Sequence, residues 1–201
     1  MGTNRLEAFS DGVIAVAITL LVVGIAVPEV GGRHSLGHEL LAQWPEYAAY
    51  AVSFLTIGII WMNHHAMIGR LRQADHSILI LNLFLLMTIG VLPFATDLMA
   101  RYLRGPRDQS LAAAIYAGCF LLMSIAFSLL NRLVLIAKSD YLHEPMAFDR
   151  RRQILNRARI GVLPYAIAGA LAFVSPYITL VICAALALFY ATPLASGSDL
   201  S

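Results

Sequence analysis

The residues that could do chemistry in this chain begin at its first apolar run. Ser10 and Asp11 stand at the mouth of a stretch from Gly12 to Pro28 that carries no charge, and Arg5 lies one turn and a half earlier. Ionisable groups beside lipid are costly, so they normally find protein partners and mark a pathway or a site. A carboxylate there needs donors, and His, Asn and indole N–H groups are donors. Such groups recur further along as Trp61, Asn63, His64 and His65, then as Asn82, with Asp75-His76 between them. A network joining Ser10 and Asp11 to Trp61, His64, His65 and Asn82 is expected; the alternative is an Asp11 that simply meets water at a helix start.

On an ideal helix the same run sorts into faces. Arg5, Phe9, Gly12, Val16, Leu20 and Val23 recur at three- and four-residue steps and form one stripe, with Thr19 beside it and Ser10 and Asp11 pointing away. Val16, Leu20 and Val23 offer an ion no charge and no carboxylate. The stripe either packs on a neighbouring helix or, if several copies surround an axis, forms rings that gate by dewetting. One copy cannot make a hole, so a pore requires an oligomer.

Other chemistries find little support. Adjacent histidines point about 100° apart on a helix and do not converge on a metal as an i, i+4 pair does. No HExxH, CxxC or Gly-x-Ser-x-Gly occurs, and the glycines are too scattered to cradle phosphate. Neither an enzyme nor a metal or cofactor site is expected. A proton-coupled secondary transporter using Asp11 with His64 or His65 as a relay is the principal rival.

The elements that must position these residues are membrane helices. Of 201 residues 59% are hydrophobic and 13% charged, against about 45–50% and about 25% in soluble domains. A net charge of +2 gives no case for nucleic acid, and Cys119 and Cys183 both fall within apolar runs, so no disulfide framework is indicated. Acidic Glu7 and Asp11 argue against a cleaved signal peptide. Roughly 20 apolar residues cross the hydrocarbon layer, and six segments are predicted: 6–27, 41–68, 77–100, 109–136, 160–174 and 176–192. The last two are short and separated by Ser175-Pro176. The expectation is an all-α polytopic membrane protein with a single domain over 1–193 and a disordered tail over 194–201. Ten of the 14 Lys and Arg residues fall on one side, including Arg150, Arg151, Arg152, Arg157 and Arg159, which places both termini in the cytoplasm. That cluster serves as a topology signal, with anionic lipid head groups as an alternative partner.

The pattern Arg5-x-x-x-Phe9-Ser10-Asp11-Gly12, followed by Val-Ile-Ala-Val-Ala-Ile-Thr19-Leu20-Leu21, resembles the signature of the transmembrane protein 175 family of endosomal/lysosomal-type potassium channels. Trp61-x-x-His64 and the stretch from Asn82 to Leu92-Pro93-Phe94 are similar to that family as well. The resemblance implies a non-TVGYG cation channel in the cell membrane, a homotetramer of single-repeat chains with the first helix lining the pore. Its permeant ions would be K+ and other monovalent cations, with proton leak compatible. It further implies a constriction at Val16, Leu20 and Val23, a selectivity role for Thr19, and Arg5, Phe9, Ser10 and Asp11 holding the pore helix against Trp61, His64 and Asn82. Val16 and Val23 stand where members of that family often carry Ile or Leu, which shortens the constricting side chains.

Overall fold

A computed structural model describes residues 2–28, 35–105 and 107–191. Within them the chain is helical: α1 (Thr3–Leu20), α2 (Leu36–Ala42), α3 (Trp44–Ile68), α4 (His76–Leu103), α5 (Gln109–Arg132), α6 (Phe148–Ile160), α7 (Val162–Leu171) and α8 (Pro176–Ala191). The expected tail 194–201, and residue 192 of the last predicted segment, lie outside the described residues.

Local chemistry sets the boundaries. Asp75 caps α4 by accepting from the Ile78 N–H at 3.1 Å, and Pro45 occupies the first turn of α3, where its missing N–H costs nothing. Past Leu20, α1 tightens into a 3-10 turn over Leu21–Gly24. α5 instead widens into a π turn over Leu133–Ala137, closed by Lys138 N–H on Leu133 C=O.

Four of these segments are long and apolar enough to cross a bilayer: Thr3–Gly24, Trp44–Ile68, His76–Leu103 and Gln109–Ala137. The fifth and sixth predicted segments are shorter as helices. α7 has 10 residues and α8 has 16, about 15 and about 24 Å against a hydrocarbon layer of about 30 Å. Two predicted boundaries also move. The second segment splits, because Ser35 starts a separate short helix by accepting from His38 N–H at 3.4 Å. The basic run before the fifth segment is itself a helix, α6.

The long helices α1, α3, α4 and α5 alternate in direction between two ends of a bundle, and α6 and α7 both run back along α5. At one end the start of α1 meets the end of α3, and Arg72 N–H bonds Tyr141 C=O while His143 N–H bonds Arg70 C=O. These two bonds tie the α3–α4 turn to the segment after α5. The Tyr190 hydroxyl donates to Arg157 C=O, so α8 finishes at this end too. At the opposite end Trp44 stacks on Tyr177, and Arg104 Nε lies 3.3 Å from the carboxylate of buried Glu46.

The core runs down the middle, through Leu85, Ile89 and Leu92 of α4 and Tyr116 and Phe120 of α5. Phe120 stacks on Tyr165 of α7, with ring centroids 5.4 Å apart. Small residues let α5 and α7 approach closely: a Cβ on Gly169 would lie 3.8 Å from that of Ala117. A directed chain of hydroxyls crosses this apolar centre. Thr96 donates to Leu92 C=O at 2.8 Å and must therefore accept from Ser53 at 2.8 Å, which leaves Tyr116 to donate to Ser53 at 3.0 Å. Each hydroxyl proton is thereby used, which is what polar groups in a membrane interior require.

Candidate functional site: the inner face and outer face of the first helix

α1 divides its residues between two opposite faces. Leu6, Ser10, Ile14 and Ala17 are buried against α3 and α4, and Leu21 continues their line. Along the other side Phe9, Val16, Leu20 and Val23 remain 54%, 58%, 49% and 73% exposed. Arg5, Gly12 and Thr19 share that exposed side, and Thr19 turns its hydroxyl onto Val16 C=O at 2.9 Å. Of the four long apolar segments α1 is the least covered: 28% of its apolar window is buried, against 44–50% in the others. Arg5 and Thr19 thus lie on the side of α1 that its own chain covers least.

The inner face is held by a second directed chain of hydrogen bonds. Ser10 donates to Leu6 C=O at 2.8 Å, so its oxygen is free to accept from Asn82 Nδ2 at 3.0 Å. With its NH2 so engaged, Asn82 presents its oxygen to His64 at 2.7 Å, and His64 Nε2 must carry the proton. Ser10, His64 and Asn82 are each fully buried. One amide thus joins α1, α3 and α4. The remaining nitrogen, His64 Nδ1, is buried without a partner among the described residues.

Asp11 takes a separate partner. Trp61 donates its indole N–H to Asp11 Oδ1 at 2.8 Å on the more open flank between α1 and α3. One turn away His65 Nδ1 meets Glu7 Oε1 at 2.8 Å, and the His65 ring lies 6.1 Å from that of Trp61. The 100° step between His64 and His65 therefore sends them to different partners. Asp11 bonds to neither in the way a histidine relay would need. Glu7 was not singled out by its spacing; its signal was a carboxylate one turn before Asp11, on the side facing α3.

Glu7, Asp11 and His65 bring one potential metal-ligating atom each to within 4.8 Å of the others. Their bonds to one another and to Trp61 already occupy this group. Arg5 and Phe9 are exposed and lie apart from both sets of bonds.

A family model described as endosomal/lysosomal potassium channel TMEM175 matches residues 5–93, the span holding every residue of these two networks. A potassium channel of Streptomyces collinus is 42% identical over 189 residues, which is 94% of this chain and 91% of that protein. The chain belongs to the TMEM175 family. The crystal structure of a lysosomal potassium-selective channel TMEM175 homolog from Chamaesiphon minutus superimposes with a TM-score of 0.84 at 36% identity, covering 98% of each chain. The endosomal/lysosomal proton channel TMEM175 of Homo sapiens is 32% identical over 183 residues, 87% of this chain but 36% of the human protein. This TMEM175 chain is thus an all-helical membrane protein with the fold of a channel.

Proposed function

We propose that four copies of this chain surround an axis along the exposed face of α1 and conduct K+ passively, with rings of Val16, Leu20 and Val23 as the constriction. Its relatives in Streptomyces and Chamaesiphon are named potassium channels, and the relatives reported above are ion channels rather than enzymes. The observation that carries the reading is the unpartnered side of α1, on which Phe9, Val16, Leu20 and Val23 form a continuous apolar line beside Thr19. Such a line holds no ligand for an ion, so it controls conduction through its wetting. Thr19 is the one hydroxyl beside it and sets the preference among monovalent cations; protons leak through the same path.

In this reading α7 and α8 complete a six-pass protomer, and both termini face the cytoplasm, because ten of the 14 basic residues fall on that side. The Ser10–Asn82–His64 chain and the Asp11–Trp61 bond hold the pore helix to its own subunit, and Arg5 and Phe9 face the neighbouring copies. Leu20→Asn tests the gate in planar bilayers under a potassium/sodium gradient. A polar ring lowers the dewetting barrier, so K+ current rises; unchanged conductance removes Leu20 from the path.

A further inference from the structure

A cavity of about 350 Å³ opens on the other side of α3 from the pore helix, enclosed by α3, α5, α6, α7 and α8 at the end of the bundle where α1 begins. That volume is in the range of small-molecule sites. Three guanidinium groups line it, those of Arg70, Arg150 and Arg157, and no aspartate or glutamate does. Among the described residues none of the three forms an ion pair. Arg70 is half-buried just past the end of α3, and burial together with the neighbouring charge of Arg150 pushes its pKa down. A partly desolvated guanidinium with like charges beside it is unfavourable unless an anion offsets them. Asn131 and Gln153 add neutral polar groups, while Phe127 and Ile154 make part of the wall apolar.

The recess is built as well as charged. Ser128 donates to Ala158 C=O at 2.8 Å and fixes α6 across α5. Arg151, outside the cavity lining, holds Met146 C=O and Leu135 C=O at 2.9 and 3.3 Å. At the α6–α7 joint, Gly161 leaves space that a Cβ would take, 3.1 Å from Ser124 Oγ.

We propose that this cavity binds a phosphoryl anion, with the forks of Arg70, Arg150 and Arg157 on its oxygens and the apolar wall receiving whatever the phosphate is attached to. Guanidinium forks match phosphate oxygens in pairs, and such charge-assisted bonds are the strong ones. The chemistry is shared by two sources, the head group of an acidic lipid and free phosphate. The site is separate from the conduction path, so it stands or falls without the pore reading.

The test is thermal unfolding of the purified full chain in detergent with dioctanoyl phosphatidic acid, dioctanoyl phosphatidylcholine or inorganic phosphate. Phosphatidic acid is expected to raise the unfolding temperature where phosphatidylcholine at equal concentration does not. In Arg150→Gln and Arg157→Gln, both at exposed positions, the protecting concentration rises by about tenfold. Arg152→Gln, on the same helix but outside the cavity, behaves as the unaltered chain. Protection by inorganic phosphate alone assigns the site to the free ion, and protection only by phosphatidic acid assigns it to the lipid. Equal protection by phosphatidylcholine, or equal weakening by Arg152→Gln, overturns the proposal.

Discussion

Asn82 uses both ends of its amide between helices, giving an N–H to Ser10 and taking one from His64. Replacing it with leucine keeps the volume and strands a buried imidazole N–H. An ordinary interhelix hydrogen bond in a membrane is worth about 0.6 kcal/mol, whereas a buried donor left unpaired costs about 1–3 kcal/mol. The second term decides, so Asn82→Leu is expected to lower stability by about 1–3 kcal/mol in thermal unfolding. Adding His64→Leu removes the stranded donor, and the double variant should lose less than the two single losses combined; simple additivity would mean the two side chains are not coupled. Asp11→Ala is expected to impair folding or assembly more than ion preference, because its partner is Trp61 of its own subunit. Normal assembly with altered preference would count against that. At this scale much was legible in the sequence: a Ser-Asp pair at the mouth of an uncharged helix calls for donors, and the chain offers few. The division into two sets was not, since it depends on helix rotation and on Glu7, which spacing alone leaves unremarkable.

The helices owe their limits to a few side chains, and the start of α4 is the clearest case. Asp75 accepts from Ile78 N–H and pairs with Lys138 just past α5. The Lys138 ammonium, with help from the backbone N–H, holds the Asp75 carboxyl below its usual range, and Asp75 in turn raises Lys138. A carboxyl whose folded pKa is depressed stabilises above its unfolded pKa and loses that contribution as pH falls through the folded value. A lysine whose folded pKa is raised stabilises below its unfolded pKa and loses its share as pH rises through the folded value. The pair therefore supports the fold from mildly acid to mildly alkaline pH and weakens on both sides. Asp75→Ala removes the cap and should lower the unfolding temperature, which should then depend less on pH below about 4. An unaltered acid limb would contradict that role.

The long helices were visible as apolar runs, but α2 and α6 were not. α6 is polar and rich in arginine, so its residues read as a topology signal rather than as a helix. Its helical order comes from packing on α5, through contacts such as Ser128 to Ala158.

At the scale of the whole molecule, one helix stands apart from the rest. The core is closed around α4 and α5, yet the helix with the most distinctive residues buries only one face. Sequence periodicity set out that bare stripe residue by residue. In the proposed tetramer that stripe faces other copies, which no pattern within one chain encodes. α7 and α8, with 10 and 16 residues, are shorter as helices than the four long apolar segments.

The most direct measurement is thiol modification of Leu20→Cys during K+ current recording, with Leu122→Cys as the comparison. Leu20 and Leu122 are similarly exposed in a single chain, at 49% and 52%, but lie on α1 and α5. If four α1 faces enclose the path, a water-soluble thiol reagent blocks current through Leu20→Cys and spares Leu122→Cys. Current that survives modification at Leu20, or falls equally at Leu122, would contradict a pore lined by α1.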